Sequence, residues 1–581
     1  MGDSSKREIS RLPALRMLVT ADLGVEGTGV RRVSRDQLDG LMAEMAPELD
    51  LRVTDHLEPG SRTDLACRLR FTAPEAFAPA AVARAVPAMA DLLTARTALA
   101  GRSPDADPQT LLAELPARFR AGDLAAMLLS GQSGGDAAGP ADERLDNLLA
   151  KVDLAGQPAA DPLAATVAEI DRRLSRQVAA VCSEPSFAAV ESAWRGLRFL
   201  LAETDPAGPV IVEVLPATKE ECLDAFFEHA FQEEYEGASE TPLALVVLAY
   251  DFDRGAHDLD LLRDAARMGE SLQTPFLGSM GIGYWGLKRA ALLATMPDPV
   301  AKSRGPEYAK WNRLREDDRS LWLAFAVNRL LARPAYGEAP PEDDGFAWDA
   351  AAAGKADAPL WLEGVWALAA AASRAYADSG PRLPMAGVRF QDLACRPYGG
   401  KGEPFAYPLE VSLSDHRALD LSACGLAPLT AQRDRDEAGF SALPTYHRAK
   451  RYDQEAATRA SYLAATLPYQ IFASMAANAL QRAAAAVDPG ASQEAVQRTF
   501  LEGFANLLAA GGVEEMMPAS RDGDADGAEG TEATEPPPPI VIEITDHREE
   551  PQLREVTVRL RPLFRIGGGE ADLVMSTPVP R

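Results

Sequence analysis

The sequence predicts an α/β (α+β) protein of several domains, with mixed sheets flanked by helices and regular strands near the C-terminal end. Three observations carry that expectation. The run ALVVLAY (244–250) is apolar on both faces, the pattern of a central buried strand. Apolar side chains recur at helical spacing over long stretches, as at Leu163, Val167, Ile170, Leu174, Val178 and Val181. IVIEI (540–544), REVTVRL (554–560) and ADLVM (571–575) alternate at period two.

With 581 residues the chain has room for about two to four domains. Residues 1–101 read as one compact domain. LRMLV (15–19) sets Leu15, Met17 and Val19 against Arg16 and Leu18, and LACRLRF (65–71) alternates likewise, so both read as half-buried strands. Between them, SRDQLDGLMAEMAP opens on the cap candidate Ser34 and reads as a short helix. Val82, Val86, Met89 and Leu93 lie at helical spacing, and that helix ends near Gly101. Residues 102–140 hold an amphipathic stretch, TLLAELPARFRAGDLAAMLL, and then a flexible linker, SGQSGGDAAGP.

A larger body follows over 141–517. Its second apolar stripe is Phe187, Val190, Trp194, Leu197 and Leu201. Strands are expected at 210–215 and 244–250, and helices at 257–272, 313–332, 358–377, 454–485 and 492–510. Trp194, Leu197, Trp311 and Trp322, with Trp361 and Trp366, sit among apolar residues and are assigned to core packing. Residues 518–539 are acidic and then polyproline, the composition of a disordered tether. Residues 540–581 regain strand character.

The net charge of −27 and pI of about 4.8 disfavour nucleic acid and anionic membrane as partners. PLALVVLAY (242–250) falls far short of the ~20 residues a spanning helix needs, so no direct membrane insertion is expected. MGDSSKREIS has no apolar core, and Lys6 stands where myristoylation wants Ser or Thr. The expected location is cytoplasmic. Cys67, Cys182, Cys222, Cys395 and Cys424 include no CxxC pair and are expected as reduced thiols. No histidine pair has metal-ligand spacing, so no metal is expected.

Three motifs invite an enzymatic or ligand-binding reading, and each lacks its context. GIGYWG (281–286) matches Gly-x-Gly-x-x-Gly, but no second strand with a ribose-binding acid follows. Tyr284 and Trp285 also place two rings where pyrophosphate would approach. GQSGG (131–135) puts Ser133 in the linker, not on a strand-to-helix turn. DGDADGAEGTEA (522–533) begins like a calcium loop but ends on Ala533 where a bidentate Glu is required. No Gly-x4-Gly-Lys-Ser/Thr occurs, so no nucleotide cofactor is expected and the chain is not read as an enzyme.

Two long resemblances remain. LPALRMLVTADLG and DLACRLRFTAPEAFAPAAVARAVPAMADLLTARTAL resemble the small subunit of the type VI secretion contractile sheath, over most of 11–101. AEIDRRLSRQVAAVCSEPSFAAVESAWRGLRFLL (168–201), EYAKWNRLREDDRSLWLAFAVNRLLARPAYG (307–337), LEVSLSDHRALDLSACGLAPLT (409–430) and ATRASYLAATLPYQIFASMAANAL (457–480) resemble the large subunit. VRLRPLFRIGGGEADLVMSTPVP resembles that family's closing strands. The chain thus reads as a small–large sheath fusion.

The resemblance implies a helical homo-oligomer around an inner tube of hexamers, contacts with baseplate components, and recycling by an AAA+ disassembly ATPase. It implies joining by strand augmentation, here assigned to Val556, Val558, Leu560, Leu573, Val574 and Met575. Two departures stand out. MGDSSKREIS is short and polar where small subunits carry an exchange strand, and only ERLDNLLAKVDL (143–154) stands in for the ATPase recognition helix. They motivate an alternative, a sheath-like regulator or cap that does not itself polymerise.

Overall fold

The apolar run at 244–250 lies inside an eight-stranded sheet. In this computed structural model, residues 13–130, 161–338, 345–399, 403–508, 538–566 and 569–581 are described, apart from 26, 28, 61, 104, 105 and 238. The expectations for Ser133, 143–154, 518–537 and the calcium-like loop fall outside those residues. The chain divides into two compact units: Met1–Leu38, Ser192–Ala332 and Trp361–Arg581 in the first, Asp39–Glu191 and Arg333–Leu360 in the second.

The first unit contains β1 (Leu15–Ala21), β2 (Arg31–Arg32), β3 (Val210–Pro216), β4 (Leu243–Phe252), β5 (Phe276–Met280), β6 (Leu323–Val327), β7 (Leu426–Ala431) and β8 (Ala438–Phe440). Their order is β8-β7-β6-β5-β4-β1-β3-β2. The strands from β7 to β3 run parallel, and β2 and β8 are antiparallel edges. Helix α1 (Ala256–Leu272) covers one face, above Phe276 and Met280. Helix α2 (Gly364–Ser379) covers the other, where Val365 N donates to Ser279 Oγ at 2.9 Å.

This placement corrects two expectations. Residues 1–101 are not one compact domain: β1 and β2 belong to the first unit, and the hairpin Glu48–Thr54/Asp64–Arg70 to the second. Nor is β1 half-buried. It lies between two parallel neighbours, and Leu15, Met17, Leu18 and Val19 are all buried. The polar residue of its alternation, Arg16, pairs with Glu213 at 2.9 Å and with Glu234 instead of facing solvent. The helix expected over 313–332 is a helix only to Glu316; LWLAFAV continues as a 3-10 turn and strand β6. A short run that is apolar on every side does not distinguish helix from buried strand.

The second unit is built on the helix Pro162–Cys182, which packs against Pro87–Ala100, Asp123–Ser130 and the hairpin. Phe71, Phe77 and Phe187 form its aromatic cluster. Gln177 closes the hairpin, accepting from His56 N at 2.6 Å and donating to Thr54 O at 3.2 Å. Arg96 grips Asp171 through two bonds of 2.9 and 3.1 Å.

A second sheet in the first unit is formed by β9 (Ile540–Asp546), β10 (Leu553–Leu560) and β11 (Leu573–Pro580), antiparallel in the order β9-β10-β11. It packs on helices α3 (Leu467–Ala485) and α4 (Gln493–Leu508). Phe564 meets the ring of Phe472, and Arg581 O accepts from Gly490 N at 2.8 Å.

Candidate assembly surface

Backbone pairing decides which strand of the C-terminal sheet can accept another. β10 pairs with β9 along its whole length on one side and with β11 on the other. Its main-chain groups are used, and its alternation points Val556, Val558 and Leu560 into the protein, where all three are buried. Within the chain these three residues anchor the sheet. The free rows of N–H and C=O lie on the outer sides of β9 and β11, each paired on one side only among the described residues. Leu573 and Met575 are half-buried on β11, and Val574 is 54% exposed. Alternation identifies the apolar face of a strand but not whether the strand is an edge, so β9 could not be singled out from the sequence.

The sequence-assigned aromatic residues lie inside. Trp194, Leu197, Trp311 and Trp322 are buried, and Trp194 Nε1 donates to Leu23 O at 3.0 Å. Trp361 is half-buried with Arg396 over its ring at 5.0 Å.

The GIGYWG run is a turn after β5. Only a four-residue helix, Leu292–Thr295, follows it, so the glycines open no helix N-terminus. A Cβ at Gly281 would overlap the Asp251 carboxylate, and one at Gly283 would press on Asp253. The glycines thus let the turn cross the end of β4. Tyr284 and Trp285 fill the core below, with the Tyr284 and Tyr446 hydroxyls 2.9 Å apart.

Beside this turn lies an ionic cluster that the sequence did not reveal, because its members come from six segments. Arg329 makes two bonds of 2.7 Å to Glu410 and approaches Glu363 at 3.5 Å. Lys219 reaches Asp251 O at 2.6 Å and Asp258 at 2.8 Å. Burial pushes both Asp251 and Glu363 above the usual carboxylate range, helped by the charge of Glu363 at Asp251 and of Glu410 at Glu363. The cluster ties strand ends together. Among the described residues, no group of three His, Cys, Asp or Glu is placed to hold a metal ion, and no helix is long and apolar enough to cross a membrane.

An antiparallel terminal sheet with two open edges is the kind of surface that strand augmentation uses. Comparison with known proteins makes this specific. Residues 11–112 match the family model of VipA of the type VI secretion system, and residues 164–447 match that of VipB, the EvpB-type tail sheath N-terminal domain. The type VI secretion system sheath protein TssC1 of Pseudomonas aeruginosa is 28% identical over 349 residues, covering 56% of this chain and 69% of that protein. The chain belongs to the type VI secretion contractile sheath family and joins its small- and large-subunit parts in one polypeptide. Two solved structures of the anti-feeding prophage are also similar, each 11% identical over 67% of this chain. The baseplate has a TM-score of 0.32 over 77% of its chain, and the contracted helical sheath 0.31 over 79%.

Proposed function

We propose that this sheath protein is a complete protomer on its own, polymerising in the cytoplasm around an inner tube and seated on baseplate components. β1 carries the proposal: the small-subunit-like segment supplies an internal strand of the large-subunit-like sheet, so one chain holds what two subunits would otherwise bring together. Neighbouring protomers join at the outer edges of β9 and β11, where unpaired backbone rows accept a strand. Contraction is a switch between two packings of the same subunits, driven by strain stored on assembly, with no catalysis by the chain. An AAA+ ATPase recycles the contracted form.

Electron microscopy of the chain co-expressed with its inner-tube protein tests this. Tubes of regular helical symmetry are expected. Discrete particles under all conditions would remove the polymer and favour a cap.

A further inference from the structure

Between residues 220 and 240 the sequence has eight carboxylates, one histidine and no lysine or arginine. This segment forms the helix Cys222–Tyr235, which widens into one π turn at Phe227–Phe231. In a regular α-helix, residues four apart advance around the axis by about 40° per step, so Phe227, Phe231 and Tyr235 would fan out. The wider turn makes the first step lag instead, and the rings align. Phe227 and Phe231 stack with centroids 5.3 Å apart and planes at 22°; Phe231 and Tyr235 stack at 5.7 Å and 12°. Phe231 rests against the core, while Phe227 and Tyr235 are 56% and 65% exposed. Single π turns occur frequently at functional sites, and burial does not account for this ladder.

Stacked rings among carboxylates suit guanidinium and ammonium groups carried beside aromatic ones. The chain itself has such a surface. Tyr452 and Tyr462 are 53% and 49% exposed, alongside Lys450, Arg451 and Arg459; the same segment exposes Asp453 and Glu455, the latter 3.5 Å from Arg459, so Arg451 beside the two rings is its foremost cation. Arg451 Nε donates to Tyr462 Oη at 3.4 Å. The two patches lie on opposite flanks of α1. The helix Cys222–Tyr235 packs over β1 and β3 on one side. The 3-10 turn Asp318–Trp322, to which Lys450 is tied at 2.7 Å through Asp318, packs on the other side and leads into β6.

We propose that the Phe227–Phe231–Tyr235 ladder docks on the 450–462 surface of a second copy of this chain. The contact rests on the assembly reading and adds to it a side-chain joint separate from the sheet edges. Because it joins unlike patches on opposite flanks, one copy cannot satisfy both within itself. Repeated head to tail, such a contact gives a ring where the rotation between copies closes and an open helix where it does not.

A benzophenone amino acid in place of Tyr235, in the full chain, tests the contact directly. Irradiation should yield dimers whose mass spectra join position 235 to residues 450–462; cross-links confined to other regions would overturn the proposal. The pair Phe227→Ala and Tyr235→Ala should weaken self-association by at least about tenfold in sedimentation, with an unchanged melting curve. So should Arg451→Glu with Arg459→Glu. Mixing that charge-reversed chain with Glu228→Arg/Glu233→Arg should restore association; wild-type association by the alanine pair would refute the contact. Cross-linked dimers without tubes would sink the polymer reading and leave this contact standing. Tubes unaffected by the alanine pair would do the reverse.

Discussion

Gly196, in the helix Pro185–Ala202, has no room for a side chain: a Cβ there would fall within the buried indole of Trp366. Gly196→Ala should destabilise the protein by about 1–3 kcal/mol, read by chemical denaturation. In the second unit, buried Glu191 holds Arg333 through two bonds of 3.0 and 3.2 Å. Glu191→Ala strands the guanidinium and should cost about 3–5 kcal/mol. His447 gives the first unit a pH response. Its Nδ1 lies 3.1 Å from both Ser320 Oγ and Asp317 O, and burial lowers its pKa. The neutral ring's contribution is full above the unfolded value of about 6.5 and is lost as pH falls through the folded value. The stability advantage of the wild-type chain over His447→Gln should therefore shrink as pH falls from ~7.5 to ~5.5, read from denaturation midpoints; the raised carboxyls Asp251 and Glu363 act in the opposite sense and are common to both chains.

Among the elements, the C-terminal sheet packs on α3 through β11 and on α4 through β9, and buried side chains come from its middle strand, β10. Leu560→Ala removes a buried side chain from it, at a cost of about 2–5 kcal/mol. Limited proteolysis should then release residues 538–581 ahead of the rest; release at the wild-type rate would contradict that anchoring role. The strands of this sheet were legible in the sequence because each has one apolar and one polar face. β4 was legible as a run apolar on both faces. β6 was misread for that same property, since periodicity cannot separate a short buried strand from a buried helix. β1 was found as a strand but assigned the wrong burial, because Arg16 is satisfied by Glu213 and Glu234, both distant in sequence. The aromatic ladder was missed outright: its alignment depends on a π turn, which leaves no mark in a 3.6-residue pattern.

At the scale of the whole molecule, both compact units draw on residues from either side of 131–160. Fragments 1–130 and 161–581, co-expressed, should therefore copurify as one particle; separation on a sizing column would show that neither unit needs both parts. The position of β1 also has a kinetic consequence. Arg16 and Glu213 meet across 197 positions of chain. At a ribosomal rate of ~5–20 residues per second, β1 waits roughly ten to forty seconds for its partner strand. Throughout that interval Leu15, Met17, Leu18 and Val19 have no sheet to enter. Closing so long a loop costs little extra free energy but delays the sheet, so the newborn chain depends on chaperones most while its first strand waits.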